Sequence, residues 1–154
     1  MNAGSKLAAA VVMLTLAGAA SAGGGQSALN GTYRAVITDA DLKAHGVVFP
    51  GAIRENHGIF TMGMHDGRWT WRQKTTNPIN PPGPPAPYTI RGNRVTFVFQ
   101  VPGAPPGAPP PMTLGWQLAG GQLSFTTLRG GCGTHHCDPI ARTILTAHPW
   151  KKIG

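Results

Sequence analysis

Acidic side chains are scarce in this chain: 5 Asp and Glu stand against 13 Lys and Arg, for a formal charge of +8, and only 12% of residues carry any charge. Four of the acids, Asp39, Asp41, Asp66 and Asp138, fall at helix-cap or turn positions, which leaves Glu55 unassigned and gives no carboxylate pair for acid–base work. Serine is sparse, and no Ser or Cys sits in a strand–turn–helix context that would expose a nucleophile. No Gly-rich loop joins a strand to a helix, so nucleotide binding is not indicated. The expectation is a protein that is not an enzyme and carries no cofactor. Long hydrophobic runs are limited to residues 7–20, too short for a comfortable membrane span.

That run follows Lys6 and ends at Ala20-Ser21-Ala22, a small-x-small cleavage pattern. Residues 1–22 are therefore predicted to be a signal peptide, 23–28 a flexible Gly-rich leader and 29–154 one domain, secreted and not membrane-spanning. Cleavage removes Lys6 and lowers the charge by one. The remaining cations, Arg34, Lys43, Arg54, Arg68, Arg72, Lys74, Arg91, Arg94, Arg129, Arg142, Lys151 and Lys152, are scattered along the chain. A nucleic-acid partner would want a basic run interleaved with aromatics, so none is expected; solubility and weak attraction to an anionic envelope account for the charge. Cysteine is limited to Cys132 and Cys137, a close pair that outside the cytosol reads as a disulfide pinning a local loop, worth roughly 2 kcal/mol.

What the chain does have is alternation. Residues 29–47 read as a strand running into a short helix, with Tyr33, Ala35 and Ile37 on one face and Thr38 and Asp41 spaced as a capping pair. Pro50-Gly51 marks a turn in the connection that follows. Residues 57–73 form the clearest hairpin, its strands flanking Asp66-Gly67, with Trp69 and Trp71 sharing a face. Residues 77–87 and 102–111 are Pro-rich loops. Hairpins are predicted around Gly92-Asn93, with its second strand reaching residue 101, and around Gly120-Gly121. Asp138-Pro139 begins a helix to about residue 147, and residues 148–153 form a last strand. The predicted fold is all-β: an antiparallel meander of about eight strands closed into a barrel, with two short helices, the last strand beside the first.

The apolar faces carry Phe60, Met62, Met64, Trp69, Trp71, Phe97, Phe99, Trp116 and Phe125. An eight-stranded barrel either packs such a set as core or keeps room for one small ligand, and both readings stand at this point. Histidine offers two weaker ideas. His135 and His136 lie between the cysteines, where a disulfide would remove the thiolates from any zinc site, and His57 or His65 has no second ligand for haem. No metal site is expected.

The order of motifs resembles the lipocalin and fatty-acid-binding (calycin) group. Gly31-Thr32-Tyr33 matches its first-strand G-x-W, with Tyr for Trp, and GTYRAVITDADLKAHG, DGRWT, YTIRGNRVTF and DPIARTILTAHPWKKIG resemble small lipocalin-like domains of secreted actinobacterial proteins, some fused to solute-binding proteins. The resemblance implies a structural role for Gly31 and Tyr33, and a basic residue of a late strand, Lys151 or Lys152, packed across Tyr33. It implies a secreted binding protein for a small apolar or amphipathic molecule held in a barrel cavity. The alternative is a packed-core module that meets a secreted or envelope protein, or inhibits one, through its Pro-rich loops.

Overall fold

The computed structural model describes residues 25–74, 83–100, 109–133 and 138–154. The expected signal peptide, most of both Pro-rich loops, His135, His136 and Cys137 lie outside the described residues. In chain order the elements are a 3-10 turn Gln26–Leu29, β1 Gly31–Ile37, α1 Asp39–Ala44, α2 Pro50–Asn56, β2 Gly58–His65, β3 Arg68–Lys74, β4 Ala86–Arg91, β5 Arg94–Phe97, β6 Met112–Ala119, β7 Gln122–Thr127, α3 Pro139–Thr146 and β8 Trp150–Lys152. The eight strands form a closed antiparallel barrel in sequence order, with β1 paired to both β2 and β8.

Local chemistry sets the elements. Thr38 Oγ1 accepts from the Asp41 backbone N–H at 3.2 Å, and Asp41 Oδ2 accepts in return from the Thr38 N–H at 2.8 Å, so two orphan donors at the start of α1 are satisfied. At the β2–β3 turn both Asp66 (φ 44) and Gly67 (φ 82) are left-handed, the geometry that matches the strand twist in a two-residue hairpin. Asp138 Oδ1 accepts from the N–H groups of Ile140 and Ala141 at 2.8 and 3.0 Å and begins α3 with Pro139 in its first turn.

Four expectations change. Pro50-Gly51 is no turn but the start of α2: a proline's fixed φ and missing N–H suit the first helical position as well as a turn, and the buried Ile53 decides for the helix. Among the described residues there are thus three α-helices rather than two. Residues 26–28, expected in the flexible leader, join the 3-10 turn, because Leu29 is fully buried and the Tyr88 hydroxyl donates to the Gln26 carbonyl at 2.8 Å. β4 begins at Ala86, inside the expected Pro-rich loop; Pro87 is tolerated because only its carbonyl is used there, accepting from the Val98 N–H. β5 ends at Phe97, so Phe99 reaches the interior from irregular backbone.

Alternation fills the barrel. Tyr33, Ala35 and Ile37 of β1, Phe60, Met62 and Met64 of β2, Val95 and Phe97 of β5, Leu114 of β6 and Leu123 and Phe125 of β7 are buried in one continuous core. One end is shut tightly. Tyr33 is fully buried and donates to the Leu29 carbonyl at 3.1 Å, while Lys152 Nζ lies 6.0 Å from the centre of its ring and donates to the Asn30 carbonyl at 3.1 Å. Gly31 lies beneath that side chain at φ 154, where an added Cβ would meet Lys152 Cε at 2.7 Å and the Gly154 carbonyl oxygen at 3.0 Å. Among the described residues no helix is long and apolar enough to cross a membrane.

Candidate site at the α3 side of the barrel interior

The nine aromatic and methionine positions converge as alternation predicts, but they divide into two groups. Phe60, Met64, Phe97 and Phe125 are buried core, and Met64 pairs with Gly31 at the shut end. Trp71 and Phe99 are only half-buried. The two groups are joined by ring contacts: Phe60 stacks on Trp71 with centroids 5.7 Å apart, Trp69 meets Phe97 edge-on at 4.9 Å and Phe99 at 5.4 Å, and Phe97 meets Phe125 at 5.5 Å.

α3 lies over the half-buried group. Ala141, Ile144 and Leu145 face Met62, Trp69, Trp71, Phe99 and Trp150 across a void of about 10 Å³, roughly the room one water needs. Ile144, Leu145 and Trp150 were not among the sequence-derived interior residues; the signal was the four-residue spacing of Ile140 and Ile144 after a strong cap. The helix is held from the side by polar contacts to α1. Arg142 Nη2 donates to the His45 carbonyl at 3.3 Å, and His148 Nε2 lies 3.0 Å from Asp41 Oδ2. Burial alone would raise the Asp41 carboxyl, but hydrogen bonds from the Thr38 N–H and hydroxyl, together with His148, outweigh it and hold the pKa at about 2.

The β3–β4 ladder beside the same group is short, as are those that β8 makes with β1 and β7. β3 and β4 pair only at Arg68–Pro87 and Trp69–Ala86, so residues 70–74 have no ladder partner on that side among the described residues. A recess of about 50 Å³ opens there, lined by Trp69, Thr70, Trp71, Gly83, Pro84, Ala86, Phe99 and Gln100. Comparison with family models, curated proteins and solved structures returns no match. The site is therefore read from its geometry alone.

The indole N–H groups differ in a way that sequence could not reveal. Trp69 Nε1 donates to the Val98 carbonyl and Trp150 Nε1 to the Leu145 carbonyl, both at 3.1 Å. Trp116, 9% exposed, has a buried Nε1 with no hydrogen-bond partner among the described residues. An unmatched buried donor costs about 1–3 kcal/mol, which makes it a place for an acceptor. Of the histidines proposed for metal or haem, His57 Nδ1 lies 2.8 Å from Asp39 Oδ1 and His65 is exposed at the end of β2. No cluster of three potential metal ligands occurs among the described residues.

A second recess, of about 460 Å³, lies outside the barrel between α1 and α2, lined by Asp39, Lys43, Val47, Val48, Pro50, Ile53 and Arg54. It is broad and open to solvent, and it does not communicate with the aromatic set through any shared lining residue.

Proposed function

We propose that the protein binds a small, flat apolar or amphipathic molecule inside the α3 side of the barrel, against Trp71, Phe99, Met62 and Trp69, with Trp116 Nε1 donating to the ligand's one acceptor. The observation that carries this reading is the pair of half-buried rings, Trp71 and Phe99, facing α3 beside β3 residues that lack a ladder partner among the described residues; the unpartnered Trp116 N–H belongs to the same core. The 10 Å³ void is too small for such a molecule, so binding requires the Trp71 and Phe99 rings to swing out and α3 to lift. The half-buried rings and the short β3–β4 ladder support that movement.

Titration with medium-chain fatty acids and the matching alkanes, followed by Trp fluorescence, tests it. Saturable binding is expected, stronger for the acids in the native chain and equal for acid and alkane in Trp116→Phe. No saturable signal from either series would remove the reading.

The filled interior favours a second reading, in which the core is only core and the Pro-rich loops meet a secreted or envelope protein. Deleting residues 102–111 would then abolish pull-down of that protein while leaving the melting temperature in place.

Membership of the lipocalin group, export through residues 1–22 and a Cys132–Cys137 disulfide belong to the same proposal. Lys152 across Tyr33 supports the first, as one of the two late-strand basic residues, Lys151 or Lys152, that the resemblance left open for that place. A buried Cys132, with no free cysteine among the described residues, supports the last. Intact-mass measurement of exported protein tests both export and disulfide: it should lack the first 22 residues and be two hydrogens lighter than the reduced chain.

A further inference from the structure

Four of the cations scattered along the sequence, Arg34, Arg72, Lys74 and Lys151, meet on one face of the fold. Register places Lys151 opposite Arg34, Arg34 opposite Thr61 and Thr61 opposite Arg72, one lateral row across the outer face of β8, β1, β2 and β3. Three strand spacings make that row about 14 Å long. The next outward-facing row runs Val36, Ile59, Lys74. Val36 and Ile59, 53% and 37% exposed, thus form an apolar pair beside the cations.

Nothing on this face offsets the charge. The five acids, Asp39, Asp41, Glu55, Asp66 and Asp138, sit in α1, α2, the β2–β3 turn and the α3 cap, and none lies on a strand. Arg34, Lys151, Arg72 and Lys74 have no ion-pair partner among the described residues. Like charges directly opposite on neighbouring strands destabilise a sheet, so the Arg34–Lys151 pair is a cost that folding alone does not explain.

We propose that this face docks on an anionic phospholipid surface. Cations held in a row meet the headgroup phosphates, and Val36 with Ile59 reach the boundary beneath them. The rings of β1, β2 and β3 point into the barrel, so the face offers no platform on which nucleic-acid bases could stack. The assignment is independent of the ligand site, since it uses no interior residue.

Co-sedimentation of the full chain with vesicles tests it. Vesicles of equal parts phosphatidylglycerol and phosphatidylcholine should retain the protein, phosphatidylcholine alone should not, and added salt should release it. Arg34→Gln with Arg72→Gln should lower the partition coefficient about thirty-fold. Val36→Ser should lower it less, and Arg94→Gln, on β5, least. Arg34→Lys with Arg72→Lys should restore retention, which separates charge from folding, and melting temperatures of all variants check the fold. Native-like retention of the double Gln variant, equal retention on neutral vesicles, or binding to dissolved DNA or polyphosphate without binding to vesicles would each overturn the assignment.

Discussion

The two ends of the barrel interior are built from the same kinds of residue and behave differently. At the shut end the buried Tyr33 hydroxyl donates to Leu29 and the Tyr88 hydroxyl to Gln26, while at the exposed rim Lys152 donates to Asn30 and Asn30 and Asp66 bond to each other twice. The chain terminus is tied in as well, with the Thr32 N–H bonded to the Gly154 carbonyl at 2.6 Å. Beneath α3, by contrast, the Trp71 and Phe99 rings remain half-buried, and residues 70–74 of β3 have no ladder partner on the β4 side among the described residues; elsewhere in the same core the Trp116 indole N–H has no partner among them. Apolar side chains alone do not decide whether a barrel interior is plug or pocket. What decides it is whether the backbone around them is fully bonded and their polar handles are satisfied.

The largest expected effect is at the plug. Tyr33→Ala removes a fully buried ring and its hydrogen bond and should cost about 4 kcal/mol by thermal unfolding, with unchanged affinity in the folded fraction. A variant with native melting temperature would place the seam of the barrel elsewhere. Trp71→Ala should do the opposite: about 1–2 kcal/mol of stability, since the ring is half-buried, but loss of most fatty-acid binding. If both substitutions moved stability alike, the contrast between the ends would fail. Trp116→Phe should change stability by no more than about 1 kcal/mol, because deleting an unpartnered donor offsets the lost contact, while it weakens binding of acids selectively.

Thr38→Ala should cost about 1 kcal/mol by removing the cap of the helix against which α3 is tied. The same cap sets an acid response. Asp41 is depressed in the folded state, so its contribution is fully present above 3.8 and is lost as pH falls toward about 2; melting curves across that window should show the loss in the native chain and much less of it in Asp41→Asn. At high pH the plug responds instead. Burial raises both Tyr33 and Tyr88; Tyr88 adds to the rise at Tyr33, while at Tyr88 a backbone hydrogen bond at Gly67 opposes it and Asp66 adds to it, so stability should fall as pH climbs past 10.0.

How much of this was legible in the sequence follows the range of the interactions. The Thr38–Asp41 cap, the Asp66-Gly67 turn and the Asp138-Pro139 helix start are set by neighbours within a few residues, and each is where alternation and turn chemistry put it. Eight consecutive strands with alternating apolar faces then imply closure, and β1 pairs with β8 as that requires. Pro50 was ambiguous because its fixed φ suits a turn and a helix start equally. The division of the aromatic set was not legible, because Trp71 and Trp69 share a strand face and differ only in whether β4 continues beside them. Nor was the cationic row: Arg34, Arg72 and Lys151 are far apart in sequence and meet only through register.

Native-state hydrogen exchange of the full chain tests the contrast most directly, because it reports the free energy of opening amide by amide. Amides of β1 and β8 should exchange only with global unfolding, while those of α3 and of the outer edge of β3 exchange through a smaller opening that a bound fatty acid suppresses. Uniform protection of α3, β3 and β1, unchanged by any apolar ligand, would show an interior that is packed throughout and would contradict the account.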